Sequence, residues 1–389
     1  MKFTVNRKVL LEHLKTMVKI VPKESPIKEL KGFLIEANED DGHLYITATN
    51  MEVSIQRKLK INIEVGGSCV IDARLLVNML SLFKGDDVSF EEIKTGVIKI
   101  KSDKCVYNMS VLGSNAYPRP QIPFPDTTVK ICDMKQIYGK TYSTIAKENI
   151  SKTIEGVHFS ITPNKFKVES CNLHAVSIVE RELDCGGSID FVLPKQSFML
   201  LAIAAGDDDL EVGSVGSAIT FMKDGMMLSA KKLNNEYADI DKVISSLNSD
   251  YVTKVEFDDL KDKMLNICDI SAMGTEKSYI NIDFGDDKLT VSTENDVGNS
   301  STELDCVMVD GKSGQSYYYR STGLKDIFKT IEGTMIMQLD SRGYLLVFDR
   351  YSKYLITPIA AEAVKRQIEK YEERKKQPKK AKKPSQKAA

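Results

Sequence analysis

Three short segments of this chain are near copies of one another: LYITATN at 44–50, FKVESCN at 166–172 and LTVSTEN at 289–295, offset by 122 and 123 residues. Each follows a second strand-like segment at a matching distance, Phe33-Leu-Ile-Glu, Val157-His-Phe-Ser and Ile280-Asn-Ile-Asp. Downstream, GGSCVIDARLLVNMLSLFKGDD (66–87) returns as GGSIDFVLPKQSFMLLAIAAGDD (186–208), and more loosely as QSYYYRSTGLKDIFKTIEG (315–333). Solenoid repeats have periods of about 20–50 residues, so a period this long is a whole domain written three times. Each unit reads as strand, helix, alternating strands, then a second strand, helix and strands. Pro118, Pro120, Pro123 and Pro125 crowd the end of the first unit, and SSLNSD (245–250) closes the second. The expected division is 1–125, 126–250 and 251–361, followed by a basic tail, 362–389.

A chain of 389 residues is long enough for several cores. With 42% hydrophobic and 28% charged residues it has a globular composition. Its longest apolar run, Phe198 to Ala205, is too short to span a bilayer, and MKFTVNRKVLLEH lacks the apolar stretch of a secretory signal. Seven scattered cysteines without a CxxC suit reduced thiols in a cytosol. His13, His43, His158 and His174 lie too far apart to suggest a metal site.

The net charge of −1 hides an asymmetry, because residues 365–389 carry +8 and everything before them −9. On a helical wheel, Asn6 to Val21 places Leu10, Leu14, Met17, Val18 and Val21 on one side, with Lys8, Lys15 and Lys19 opposite. Around Met134 to Lys147 the apolar set is Met134, Ile137, Thr141 and Ile145, and Lys140 and Lys147 point away from it. Arg74 and the pair Lys325 and Lys329 also sit off their apolar stripes. Such lysines describe a solvated surface or, recurring at equivalent places, a face for a polyanion. The helix expected over Phe257 to Ile270 turns Asp258, Asp262 and Asp269 outward and does not fit the second reading.

No Walker loop, GxSxG or HExxH is present. Asp86-Asp87 and Asp207-Asp208-Asp209 each follow a glycine directly after a helix, where Gly-Asp-Asp is good turn chemistry. Cys171 near His174 reads as packing beside a strand-to-turn junction.

With the threefold repeat, VLGSNAYPRP closing the first copy and YLITPI near the end, residues 1–361 resemble a bacterial DNA polymerase III beta subunit, the beta sliding clamp. The resemblance implies an α+β fold of three tandem DNA-clamp domains, paired head to tail into a dimeric ring with antiparallel sheets outside and helices lining a hole. It implies a processivity factor that encircles double-stranded DNA without chemistry, cofactor or metal. The implied partners are a clamp loader, a DNA polymerase and other peptide-bearing proteins, in the cytoplasm at the nucleoid and away from membranes. A different class of function, a clamp-fold scaffold from a phage, a plasmid or a paralogue that binds peptides without encircling DNA, stands as the alternative.

A sliding ring must attract phosphates without reading bases, and flexible cations suit that. The residues expected to do so are Lys8, Lys15, Lys19, Lys23, Lys28, Arg74, Lys140 and Lys147. The resemblance also implies a peptide pocket between the second and third domains. It would be built from Ile154, Ser170, Asn172, Leu173, His174 and Ala175, from Ala238, Lys242 and Val243, and from Leu355, Ile356, Thr357, Pro358, Ile359 and Ala360. Tyr107 and Met109 on one edge, and Ala272 and Met273 on the other, would form the dimer interface. The chain departs from the family pattern here. A motif close to Thr-Asp-Gly-His-Arg-Leu reads Ser170-Cys171-Asn172-Leu173-His174-Ala175, Phe-Pro-Asp-Tyr reads Tyr237-Ala238-Asp239-Ile240, and Met-Pro-Met-Arg-Leu reads Thr357-Pro358-Ile359-Ala360-Ala361. A different peptide preference is expected. Past the family's usual end, AEAVKRQIEKYEERKK suits a charged helix and QPKKAKKPSQKAA a disordered tail; the extension is a solubilising appendage, a cover for the pocket or a tether to DNA.

Overall fold

The computed structural model describes residues 1–146, 151–184, 186–258, 260–274 and 278–376. One succession of elements occurs three times. The first copy runs from strand Lys2–Asn6 through helix α1 (Arg7–Met17) to strands Gly32–Asn38, His43–Thr49 and Val53–Lys60. After strands Asn62–Val65 and Gly67–Asp72 come helix α2 (Ala73–Leu82) and strands Asp87–Lys94, Val97–Ser102 and Cys105–Ser110. The second copy repeats this order around α3 (Met134–Thr141) and α4 (Lys195–Ala205). A short helix, α5 (Ile240–Ser245), leads into the third, built around α6 (Lys261–Ala272) and α7 (Ser321–Phe328), and α8 (Ala361–Lys376) follows.

Strand pairing repeats as faithfully as element order. The first strand of each copy lies antiparallel to the strand after its second helix, as in Phe3↔Phe90, Lys130↔Glu211 and Thr253↔Met337. The second strand pairs with the one before that helix, as in Ile35↔Cys69, Phe159↔Phe191 and Ile282↔Tyr317. Within each copy the two helices pack together: α1 on α2, α3 on α4 and α6 on α7.

The final asparagine of the three near-identical segments has a physical reason. Asn50, Asn172 and Asn295 each open a tight turn after their strand. The Asn50 carboxamide oxygen accepts the amides of Glu52 and Val53 at 3.0 and 2.7 Å. That of Asn172 accepts His174 and Ala175 at 2.8 and 2.9 Å, and that of Asn295 accepts Val297 and Gly298 at 2.9 and 3.1 Å. The backbone amide of each asparagine donates three residues on, to Val53, Ala175 and Gly298. One asparagine thus satisfies two amides that a sharp reversal would otherwise leave open.

Contacts divide the chain into two units, residues 1–169 with 180–237, and 170–179 with those from 238 on. In the first, α1 buries Leu10, Leu11, Leu14 and Met17, each worth about 1.5–3 kcal/mol of transfer free energy. Its N-terminus is capped by Asn6, whose side chain accepts from Lys8 and Val9 at 3.1 and 3.2 Å. The helix ends at Met17, a turn short of the expected Val21, because Ile20 and Val21 leave it to enter the core ahead of Pro22. Strand Val53–Lys60 of the first copy pairs with Met226–Lys231, the last strand of the second, making one nine-stranded sheet.

The second unit has a core of Phe257, Met264, Ile282, Tyr319, Phe328 and Tyr354, all essentially buried. Helix α6 begins at Lys261 rather than Phe257: Phe257 and Leu260 are already core, and the Asp258 carboxylate accepts the Gly333 amide at 2.8 Å. Here the last strand of the third copy, Ser352–Ile356, pairs with Ala175–Val179.

Candidate functional site

The first unit carries the cationic helix face. Lys8, Lys15 and Lys19 are exposed on and just after α1, and Lys23 and Lys28 on the following segment. Lys8 pairs with Asp86 at 3.1 Å, both largely in solvent, a contact of at most about 1 kcal/mol. Arg74 is half-buried on α2, and its guanidinium donates to the carbonyls of Val21 and Pro22 at 3.0 and 3.1 Å. A groove of about 490 Å³ results, with Lys19, Lys23, Arg74, Asn78 and Gln196 on its walls. Three cations and two amides facing one open groove are suited to phosphate.

Lys140 requires a correction, because it is only 5% exposed. Helix α3 is short, and the turn Tyr142–Thr144 packs straight back on it, with Thr144, Ile145 and Ala146 buried. Its side opposite the apolar stripe is therefore not a free surface. Lys147 lies outside the described residues.

In the second unit, the helix face is nearly charge-balanced. The Lys325 ammonium is paired with Asp269, the Lys261 ammonium donates to the Ile331 carbonyl at 2.9 Å, and Asp262 and Asp326 are exposed.

Most of the expected pocket residues also belong to the second unit. The Asn172 turn presents Leu173, 61% exposed, beside His174. The Thr357 amide and hydroxyl both donate to the His174 carbonyl, at 2.9 and 3.1 Å, and fix the C-terminal strand to that turn. Burial and the nearby Arg320 charge push the His174 pKa below its usual value. Val243 and Lys242 are exposed on α5, while Asn172, Ala238, Thr357, Pro358 and Ile359 are half-buried and Ala360 is exposed. Four expected wall residues are corrected: Ser170, Ala175, Leu355 and Ile356 lie inside the unit's own packing and present no free side chain. Ile154, in the first unit, is half-buried.

At the expected dimer edges, Tyr107, Ala272 and Met273 are exposed, but Met109 is only 3% exposed. Met109 pairs with Ile98 and faces the first copy's core, as the two-residue period of a strand dictates.

Sequence reasoning missed one cluster. His158 Nδ1 lies 2.6 Å from the buried Glu169 carboxylate and Nε2 2.9 Å from Asp190, with the ring stacked on Tyr237. The partners come from adjacent strands, Val157–Thr162 against Lys165–Cys171 and Ile189–Leu193, so no local motif announces them.

Residues 1–123 match the family described as DNA polymerase III beta subunit, N-terminal domain. The beta sliding clamp of Staphylococcus aureus is 21% identical over 349 residues, covering 85% of this chain and 90% of the relative. That of Mycoplasma capricolum is 21% identical over 374 residues, covering 92% and 99%. Over most of its length the chain is similar to bacterial beta sliding clamps. Solved clamps share the fold: the beta subunit of Streptococcus pyogenes superposes with a TM-score of 0.84 at 20% identity, covering 93% of this chain and all of that one. The Bacillus subtilis clamp gives 0.82 at 19% identity, covering 93% and 99%. The helix that extends this chain, α8, follows the last strand of the clamp fold.

Proposed function

We propose that this chain is a DNA sliding clamp, a non-catalytic processivity factor. Two copies join head to tail around duplex DNA, an ATP-driven loader opens and closes them, and a DNA polymerase and other proteins hold on by short peptides. The work is done in the cytoplasm, at the nucleoid. One observation carries this reading. Twice in the chain, the fourth strand of a copy pairs with the last strand of the next: Val53–Lys60 with Met226–Lys231, and Ala175–Val179 with Ser352–Ile356. The same two strands are left over at the ends of the series. Asn299–Asp305 of the third copy and Cys105–Ser110 of the first are both sheet edges. A second copy supplies the missing partner, because an open edge is a template for pairing, and a head-to-tail contact that closes generates a ring. Glu303 and Asp305 on one edge complement Lys101 and Lys104 beside the other.

The cationic groove of the first unit attracts phosphate without base contacts, which leaves the ring free to slide. Leu173 and Val243 offer apolar anchoring for a peptide, about 1.5–3 kcal/mol for each well-buried partner side chain. Sedimentation equilibrium tests the closure: a species near twice 43.5 kDa is expected, and a persistent 43.5 kDa monomer at micromolar concentration contradicts it.

A further inference from the structure

Along strand Tyr279–Phe284 the two-residue period turns Ile280, Ile282 and Phe284 into the core and leaves Tyr279 and Asn281 on the other face. Strand pairing carries that face across its neighbours: Tyr318 and Ser292 flank Asn281, Ser301 follows Ser292, and Asn299 lies opposite Glu294. Helix α8 then supplies a wall. The Ile359 amide donates to the Tyr318 carbonyl at 2.7 Å, which brings the chain onto strand Gln315–Arg320, and α8 packs against that strand. Val364 is only 2% exposed, and a turn further on Ile368 closes one side of a cavity of about 370 Å³. Its other walls include Tyr279, Tyr318, Glu294, Asn299 and Ser301, all in the second unit.

Two groups here lack the partners their chemistry calls for. Tyr279 is only 5% exposed, yet its hydroxyl is buried with no hydrogen bond, which costs stability as long as nothing else binds it. Its ring meets that of Tyr318 edge to face, with centroids 5.6 Å apart. Burial first, and then the Glu294 charge and Tyr318, push the Tyr279 phenol up to about 12, so it stays a hydroxyl at neutral pH. The exposed Glu294 carboxylate has no ion-pair partner among the described residues. The rest of the polar lining is hydroxyls and amides, and among the described residues no lysine, arginine or histidine joins it. Arg320, opposite Tyr279 in the ladder, lies outside the lining, and its charge is felt at His174. The cavity is therefore rich in acceptors and carries one negative charge.

We propose that this cavity binds an organic guanidinium ion, with its charge on Glu294 and its donors shared among the Tyr279 hydroxyl and the side chains of Asn299 and Ser301. A guanidinium presents its N–H donors in one plane and stacks on aromatic faces. Ile368 and the tyrosine rings offer apolar surface to the alkyl chain that bears it. A neutral polyol would leave the carboxylate unanswered, and a phosphate would be repelled by it. The inference goes beyond the sliding-clamp reading and does not depend on it. A second copy pairing with strand Asn299–Asp305 would use its backbone groups and leave the side chains of this face in place.

The test uses the full chain carrying 3-fluorotyrosine, with the Tyr279 and Tyr318 fluorine signals assigned from Tyr279→Phe and Tyr318→Phe. Butylguanidinium is titrated beside butylurea, its neutral isostere. The guanidinium is expected to shift both signals saturably with a Kd on the order of 1 mM, the range for so small a ligand, and the urea to shift neither. Glu294→Gln should weaken binding by at least about tenfold, through loss of a charge-assisted contact. Tyr279→Phe, read at the Tyr318 signal, should weaken it too, yet without ligand it should melt no lower than the native protein, because the lost hydroxyl bonds nothing. N-acetyl-arginine-N-methylamide separates two sources of the cation: tighter binding than butylguanidinium assigns the site to an arginine of a partner peptide, weaker binding to a free small molecule. No saturable shift up to about 20 mM, an equal response to the urea, or an unchanged Kd in Glu294→Gln overturns the inference.

Discussion

The Thr357 amide donates to the carbonyl of His174 at 2.9 Å, joining the C-terminal strand to the turn that exposes Leu173. This fixed rim lacks the arginine, the proline and the terminal aliphatic residue of the family pattern, so a peptide must rely on other contacts. A Gln-Leu-x-Leu-Phe-type peptide is expected to bind more weakly than the micromolar range, measured by isothermal titration. Leu173→Ala should weaken a genuine partner peptide by a further factor of about 5–30, the loss of about 1–2 kcal/mol of apolar burial. It should leave thermal stability within about 0.5 kcal/mol, because Leu173 is exposed.

Asn295 accepts two turn amides and also donates its side-chain NH2 to the Ile270 carbonyl at 2.8 Å. Asn295→Ala is therefore expected to cost about 1–3 kcal/mol of stability by urea titration, the range for leaving such groups unpaired. Asn50→Asp keeps both amide acceptors and should cost clearly less. Equal losses for the two substitutions would contradict the role assigned to the turn.

Burial pulls the pKa of His158 down, but its hydrogen bond to Glu169 and the charges of Asp190 and Glu169 outweigh that and raise it above the ordinary 6.5. A group whose folded pKa exceeds its unfolded one stabilises fully below the unfolded value, and that stabilisation is lost as pH rises through the folded value. The difference in melting temperature between the native protein and His158→Gln should thus be largest below about pH 6.5 and shrink above it. A difference that grows with pH would refute the assignment.

The exposed lysines and the buried one should behave oppositely. Lys15→Gln with Lys19→Gln should lower the salt slope of duplex binding by up to about 2, one increment for each phosphate no longer neutralised. Lys140→Met, at a site only 5% exposed, should leave that slope unchanged. A fall in the slope with Lys140→Met would mean that the ammonium reaches DNA despite its burial.

The repeat was legible in the sequence because each copy must solve the same local problems, and Asn50, Asn172 and Asn295 solve one of them identically. The α1 stripe was legible because its period is long enough to separate two faces. Lys140 was not, because a helix of eight residues with a tight turn packed on it has no fully solvated side. Met109 was misread because a residue on an edge strand can still face the core. The His158 cluster joins residues 11 and 32 positions apart through strand pairing, which no spacing rule recovers. The charged helix expected after Ala360 is present as α8, but its docking through Val364 depends on a tertiary surface that the sequence does not display.

The central claim, that two copies close around DNA through the unused edges, is tested most directly by topological retention. A variant with Ser301→Cys offers a thiol on one edge, and the native Cys105 is exposed on the other. Treatment with a short bis-maleimide in the presence of nicked circular DNA should give a cross-linked dimer that stays with the circle in high salt and leaves when the circle is cut. Equal release from circular and linear DNA, or no cross-linked dimer at all, would contradict the account.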